Sequence, residues 1–373
     1  MSTNTRRYEL DWLRVIAILA VYFHHIGMPF NGDGFHIMNT TSSKLLDNVM
    51  VYFEQFRLPL LFMISGAGTF FAFSKRSWLQ FIKERSYRLL IPLVFGVLFI
   101  VPPQTYYENI TRLGSYLDIY KNLDFEVNHL WFIENLWVWS VLLIPFILFL
   151  KSPKSNDFKG FFDRIILKKY GLFIGVIPLL SIFIILKQQY PEDSKSISNL
   201  SVSFYHLYFF SAGMLLAATK QVWESLKKYR RTNLVILLVC TALFYGYYFM
   251  PNQWIEPYLS LANRWSLWYA VCCLVGWSFV ITLLGYSQVW FAKNSKLLLL
   301  CNEAIYPFYI LHQTVIIVVG YYIIEWDLPI SAKIFLLLIV TFPVILLLYR
   351  FVVYPFNFLR LVFGMKKKST SSS

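Results

Sequence analysis

The residues best suited to chemistry lie where charge is least expected. The apolar stretch YELDWLRVIAILAVYFHHIG, Tyr8 to Gly27, carries Asp11, Arg14, His24 and His25. A charge at mid-bilayer costs about 2.5–3.5 kcal/mol even on the lenient insertion scale, so such groups face a partner or a cavity. His25 follows Arg14 by 11 residues. At about 100° per residue that is three turns plus about 20°. Arg14 and His25 therefore share one helix face, about 16 Å apart along the axis. Asp11 lies on nearly the same face and can pair with Arg14, whereas His24 points about 100° away from His25. Imidazole is the side chain best placed to accept a proton near neutral pH. A cation low on this stripe and an imidazole high on it suit a reactive channel. The competing readings are a histidine bonded to a neighbouring helix and an arginine anchored by Asp11 at the membrane interface.

Four further stretches carry polar groups. In KERSYRLLIP, residues 83–92, Arg85 and Arg88 are spaced i, i+3 and share a face. Two arginines can hold phosphates through forked, charge-assisted hydrogen bonds; a plain positive-inside cluster explains the charge equally well. FRLPLLFMISGAGTFFAF holds Arg57, Ser65, Gly66 and Gly68, and its small residues suit close helix packing. NHLWFIENLW contains His129 and, deeper in the apolar run, Glu134. An acid at that depth has a partner or a task. The last, NEAIYPFYILHQ, contains Glu303, Tyr309, His312 and Gln313; His312 is placed either to react or to orient another helix. The scattered histidines do not suggest a metal site, and no HExxH, Walker loop or GxSxG is present.

These residues need helices that cross a membrane. The 373-residue chain is 57% hydrophobic and 14% charged, well under the charge content of a soluble domain. Its apolar runs predict an all-α, polytopic membrane protein of about ten transmembrane helices, near 10–30, 50–73, 86–104, 130–150, 170–187, 203–219, 232–250, 264–284, 297–323 and 333–355. The formal charge of +14 does not indicate nucleic-acid binding, because the basic residues sit between apolar runs. Of the 34 Lys and Arg, 25 fall on one alternating set of loops and tails, and 7 on the other. That alternation predicts both termini in the cytoplasm. The four cysteines all lie in apolar segments without a CxxC and read as buried small hydrophobes. Arg14 interrupts the first apolar run, and no small-residue cleavage site follows, so this run reads as a membrane helix. One ten-helix domain is expected over 1–363, followed by a disordered polar tail at 364–373.

The ordered motifs resemble a known family. ELDWLRVIAILAVYFHH, RSYR, LPLLFMISG, HLWFIENL and YPFYILHQ together are similar to the integral-membrane acyltransferase family 3, which includes bacterial polysaccharide and glucan O-acyltransferases. The resemblance implies an enzyme of the cell (inner) membrane that takes an acyl group from cytoplasmic acyl-CoA, acetyl-CoA or succinyl-CoA. The acceptor it implies is a hydroxyl on an envelope glycan. It implies His25 as catalytic histidine, Arg14 as a group steadying the donor or the developing charge, and Arg85 and Arg88 as holders of the coenzyme A phosphates. Asp11, Ser65, His129, Glu134, Tyr309 and His312 are expected in support. Expected partners are membrane lipid and the glycan, with no nucleic acid and no metal. A transporter of acyl groups or glycan, without acyl-CoA chemistry, is the alternative from another class.

Overall fold

The computed structural model describes residues 6–73 and 76–368. Among these residues every regular element is a helix. Those of at least 6 residues are, in chain order, α1 (Tyr8–Asn31), α2 (Lys44–Phe73), α3 (Trp78–Glu108), α4 (Trp131–Leu142), α5 (Ile144–Lys151), α6 (Asn156–Ile166), α7 (Val176–Gln189), α8 (Leu200–Ala218), α9 (Gln221–Lys228), α10 (Arg230–Tyr248), α11 (Leu261–Trp290), α12 (Lys296–Ile323), α13 (Ile330–Val353) and α14 (Asn357–Val362). The apolar runs thus form an all-α polytopic membrane protein.

Eight of the described helices are long and apolar enough to cross a membrane, or nine if the bent pair α4 and α5 is one span. Those two helices meet at 51°. Pro145 sits at the junction and has no N–H to give the carbonyl four residues back, so the ladder breaks there. The span expected at 232–250 accounts for the difference from ten. It corresponds to α10, which is 19 residues long. Its polar start at Arg230, Arg231 and Asn233 and its tyrosine-rich end make it less apolar than the others.

Prolines shape α3 as well, and the structure answers two of them with a hydroxyl. Two π-helical turns, Ser86–Leu90 and Gly96–Ile100, interrupt its α geometry. Pro92 cannot donate to the carbonyl of Arg88, and the Tyr306 hydroxyl donates to it instead at 3.0 Å. Pro102 likewise leaves the carbonyl of Leu98 to the Tyr120 hydroxyl at 3.0 Å. The Thr314 hydroxyl donates to the carbonyl of Ile100 at 2.7 Å. These caps let α3 run on to Glu108, past the Pro102–Pro103 pair where the sequence suggests a loop.

The chain divides into two compact units. One comprises Met1–Arg14, Glu54–Trp78 and Trp139–Asn294; the other comprises Val15–Phe53, Leu79–Val138 and Ser295–Ser373. In the first unit α2 and α8 approach to backbone contact. A methyl group at Gly66 would collide with the carbonyl of Phe210, and one at Gly213 with the carbonyl of Met63. Only glycine permits that spacing, which is the small-residue packing expected between membrane helices. In the second unit α12 is the central element, with Ile310, Ile316 and Ile317 fully buried. Past α14 the chain turns at Gly364, whose φ is +68°. The Met365 and Gly364 amides donate back to the carbonyls of Arg360 and Leu361 at 2.7 and 2.9 Å, the hydrogen-bond pattern of a Schellman cap. The remainder of the expected tail, from 369, lies outside the described residues.

Candidate active site

The second unit brings four of the expected site residues together. His25 comes from α1, His312 and Tyr309 from α12, and His129 from the 3-10 turn Asn128–Leu130 that leads into α4. The Nδ1 of His25 lies 2.9 Å from Nε2 of His312, with the two rings within 4° of parallel. The other ring nitrogen of His312, Nδ1, lies 2.5 Å from the backbone carbonyl of Tyr309.

A carbonyl oxygen can only accept, which settles the protons. His312 must carry its proton on Nδ1, so its Nε2 presents a lone pair. His25 must then donate from Nδ1, and in the neutral ring its Nε2 holds the lone pair. The same contact serves after Nε2 takes up a proton, because Nδ1 remains a donor in imidazolium. A backbone carbonyl, a buried imidazole and a half-buried imidazole thus form one directed chain. His312 is only 1% exposed, so its orientation is fixed by packing as well as by hydrogen bonding.

His129 uses both ring nitrogens elsewhere. Its Nε2 donates to the carbonyl of Ile310 at 3.1 Å, and its Nδ1 accepts from Nε2 of Gln104 at 3.3 Å. Its own carbonyl accepts the hydroxyl proton of Tyr309. It therefore ties α3, α4 and α12 together, edge-on to His312 with ring centroids 5.3 Å apart. With no lone pair to offer, neutral His129 is a brace in this arrangement.

Gln104 is the hub that the sequence does not single out. It is fully buried, donates to the Thr314 hydroxyl at 2.7 Å, and accepts from Gln313 at 3.1 Å and from Asn128 at 3.3 Å. Gln313 also donates to Nε2 of His36 at 3.0 Å, and His36 donates from Nδ1 to Glu108 at 2.5 Å. The available signal is a glutamine directly after two prolines, in a segment otherwise hard to place. Beside this end stands Glu126, whose carboxyl is pushed up by burial first and by the nearby Glu108 second.

The remaining expected residues have partners of their own. Arg88 pairs with Glu84 at 3.1 Å, and the Arg85 guanidinium lies 5.2 Å from the centre of the Phe81 ring. The π-helical turn begins between them, at Ser86, whose hydroxyl accepts from the Trp137 indole at 3.1 Å. The bond from Tyr306 to the Arg88 carbonyl locates this pair against α12, six residues, or about 9 Å of helix rise, before His312. Glu134 is half-buried on α4 and takes no part in the histidine network. Arg14, Asp11 and Ser65 belong to the first unit. There Asp11 accepts from Arg14 at 3.0 Å and from Arg6 at 2.8 Å. The Arg14 guanidinium passes Gly68, where a methyl group would meet its Nη2 at ordinary contact distance, 3.8 Å. Ser65 is half-buried on α2, beside the close-packed Gly66.

Comparison with known proteins agrees with these motifs. The family model of the acyltransferase 3 domain matches residues 7–350. Among curated relatives, glucans biosynthesis protein C of Shigella dysenteriae is 26% identical over 225 residues, covering 56% of this chain and 58% of the relative. Its counterpart from Escherichia coli K12 is 26% identical over 226 residues, with the same shares. The protein of that name from Salmonella gallinarum is 26% identical over 161 residues, 41% of each chain. The matches therefore span between 41% and 58% of the length of these relatives. No solved structure matches the chain. With the family match running through α1, the arginine pair of α3 and the histidine of α12, the chain belongs to the acyltransferase 3 family.

Proposed function

We propose that the protein is a membrane O-acyltransferase that moves an acetyl or succinyl group from acyl-CoA to a hydroxyl of an envelope glycan. The observation that carries this reading is the directed chain from the Tyr309 carbonyl through His312 to His25. It orients a neutral imidazole whose second nitrogen accepts a proton. A transferase joining a thioester to an alcohol needs that group.

In this reading the acceptor hydroxyl gives its proton to Nε2 of His25 as its oxygen attacks the thioester carbonyl. The new C–O bond forms, the C–S bond breaks, and the proton passes from His25 to the departing coenzyme A sulfur. His312 lowers the cost of the imidazolium formed midway, because its own proton is committed to the Tyr309 carbonyl and its lone pair faces His25. Arg85 and Arg88 hold the coenzyme A phosphates at the cytoplasmic side, where the half-exposed Arg85 and exposed Arg88 suit a hydrated anion. Arg14, held by Asp11, is assigned to the acyl donor. A glucan is favoured among acceptors by the name of the relatives, glucans biosynthesis protein C. We assign the enzyme to the cell membrane, a reading supported by a cytoplasmic acyl-CoA donor and inward termini.

The test is release of free coenzyme A by the purified protein in nanodiscs, with acetyl-CoA or succinyl-CoA and with or without glucan. Release that rises with glucan supports the reading. Absence of release with either donor contradicts it.

A further inference from the structure

The first unit contains a charge that its own side chains do not satisfy. Arg57 lies on α2 where the polar start of the helix gives way to the apolar run. It is only 3% exposed. Its one carboxylate neighbour is Glu54, from which Nη2 stands 3.7 Å away, beyond hydrogen-bond reach. Among the described residues neither Nε nor Nη1 has a hydrogen-bond acceptor. A buried guanidinium is tolerated when its donors are used, and leaving several unused is costly.

The nearby charges do not relieve it. Asp193 is already taken by the buried Lys187, at 2.5 Å, which also donates to the carbonyls of Pro191 and Glu192. Lys195, on the loop between α7 and α8, is near enough to feel the charges of Arg57, Glu54 and Asp193. Its ammonium is held below the usual lysine range by loss of hydration first and by the charge of Arg57 second, although the side chain reaches the surface. Arg57 and Lys195 share the distant Glu54, Asp193 is also engaged by Lys187, and two N–H groups of the buried Arg57 stay open to an anion.

We propose that Arg57, together with Lys195, forms a binding site for an oxyanion, either a carboxylate or a phosphate group. The guanidinium supplies directed N–H donors and the lysine a mobile charge, the combination that recognises oxygen anions generally. Two sources offer this chemistry: a soluble carboxylate or phosphate, and the phosphodiester of an anionic lipid. The site is independent of the acyl-transfer reading, since none of its residues is assigned there to the donor, the acceptor or the proton.

The experiment uses the full chain in phosphatidylcholine nanodiscs and reads the thermal unfolding midpoint by tryptophan fluorescence. One arm titrates succinate or inorganic phosphate against sodium chloride at matched ionic strength. The other replaces part of the lipid with phosphatidylglycerol. A rise in midpoint in either arm beyond the chloride control is expected, and the arm that responds identifies the source. Arg57→Met should abolish that rise. Lys195→Gln should weaken the apparent affinity about tenfold, the loss of one charge-assisted contact. Glu54→Gln should tighten it, because a competing carboxylate charge is removed; general destabilisation does not produce that sign. The proposal is overturned if neither arm shifts the midpoint, or if the folded variants respond as the unmodified protein does. Should Arg57→Met not fold, unchanged affinity in both Lys195→Gln and Glu54→Gln is equally decisive.

Discussion

Two polar regions of the second unit are built on opposite principles. Around His25 and His312 the hydrogen bonds run in series, and each fixes the direction of the next. Around Arg85 and Arg88 the contacts do not run in series: a half-exposed glutamate stands 3.1 Å from Arg88, and the Phe81 ring lies against Arg85. The difference follows from the tasks assigned to them. Transfer of a proton requires one nitrogen in one orientation, so the surroundings specify it. A flexible, hydrated phosphate needs charge within reach, and a rigid frame around it would add little.

The comparison makes graded predictions. Removing the proton acceptor should have the largest effect. His25→Ala is expected to lower turnover about 10²–10⁴-fold, the usual worth of a positioned general base, while the protein still folds. Rates of coenzyme A release, alongside unfolding curves, check this. Next is the orienting partner. His312→Ala should lower turnover about 10–100-fold, as loss of an orienting group commonly does. His312→Gln, which restores an acceptor for the Nδ1 proton of His25, should recover part of the loss. If both His312 variants turn over at the unmodified rate, the serial chain has no bearing on the reaction.

The arginines should behave differently in kind. Arg85→Ala or Arg88→Ala is expected to raise KM for acyl-CoA about tenfold, with kcat retained, because each removes a charge-assisted contact made equally before and during reaction. The effect should shrink as salt is added, since these groups are accessible to screening ions. A loss confined to kcat would erase the distinction between the two regions.

The smallest effect is expected at the rim of the histidine network. Burial and Glu108 push the Glu126 carboxyl up relative to the unfolded chain. The folded state therefore favours its protonated form. The associated stability is fully present below the unfolded carboxylate range and is lost as pH rises through the folded value. Glu126→Gln should accordingly raise the unfolding midpoint slightly at neutral pH, and the advantage should vanish in acid. Unfolding curves at several pH values measure it; an advantage that grows in acid would reverse the assignment.

Much of this arrangement could be read from spacing alone. The apolar runs, the contact between Asp11 and Arg14, and membrane-depth histidines in α1 and α12 all follow from composition and helical period. The contact between His25 and His312 joins residues 287 positions apart, and no local pattern encodes such a pairing. Gln104 was obscured for a different reason. Pro102 and Pro103 signal the end of a helix, yet hydroxyls from Tyr120 and Thr314 accept the task of capping the stranded carbonyls, and the helix continues. The π-helical turn between Arg85 and Arg88 was equally hidden, because its sequence, SYRLL, is ordinary helix-forming sequence. The span expected at 232–250 is present as α10, less apolar than the others because of its basic start and tyrosine-rich end.

The central claim concerns which nitrogen of His25 carries the proton. Selective ¹⁵N labelling of histidine, with His25→Ala to assign the signal, reads this directly in nanodiscs above the titration range. A proton on Nδ1 and a bare Nε2 is the predicted result, with the Nδ1 signal shifting in His312→Ala. A neutral His25 protonated on Nε2 would contradict the account, because the nitrogen meant to receive the acceptor's proton would already be filled.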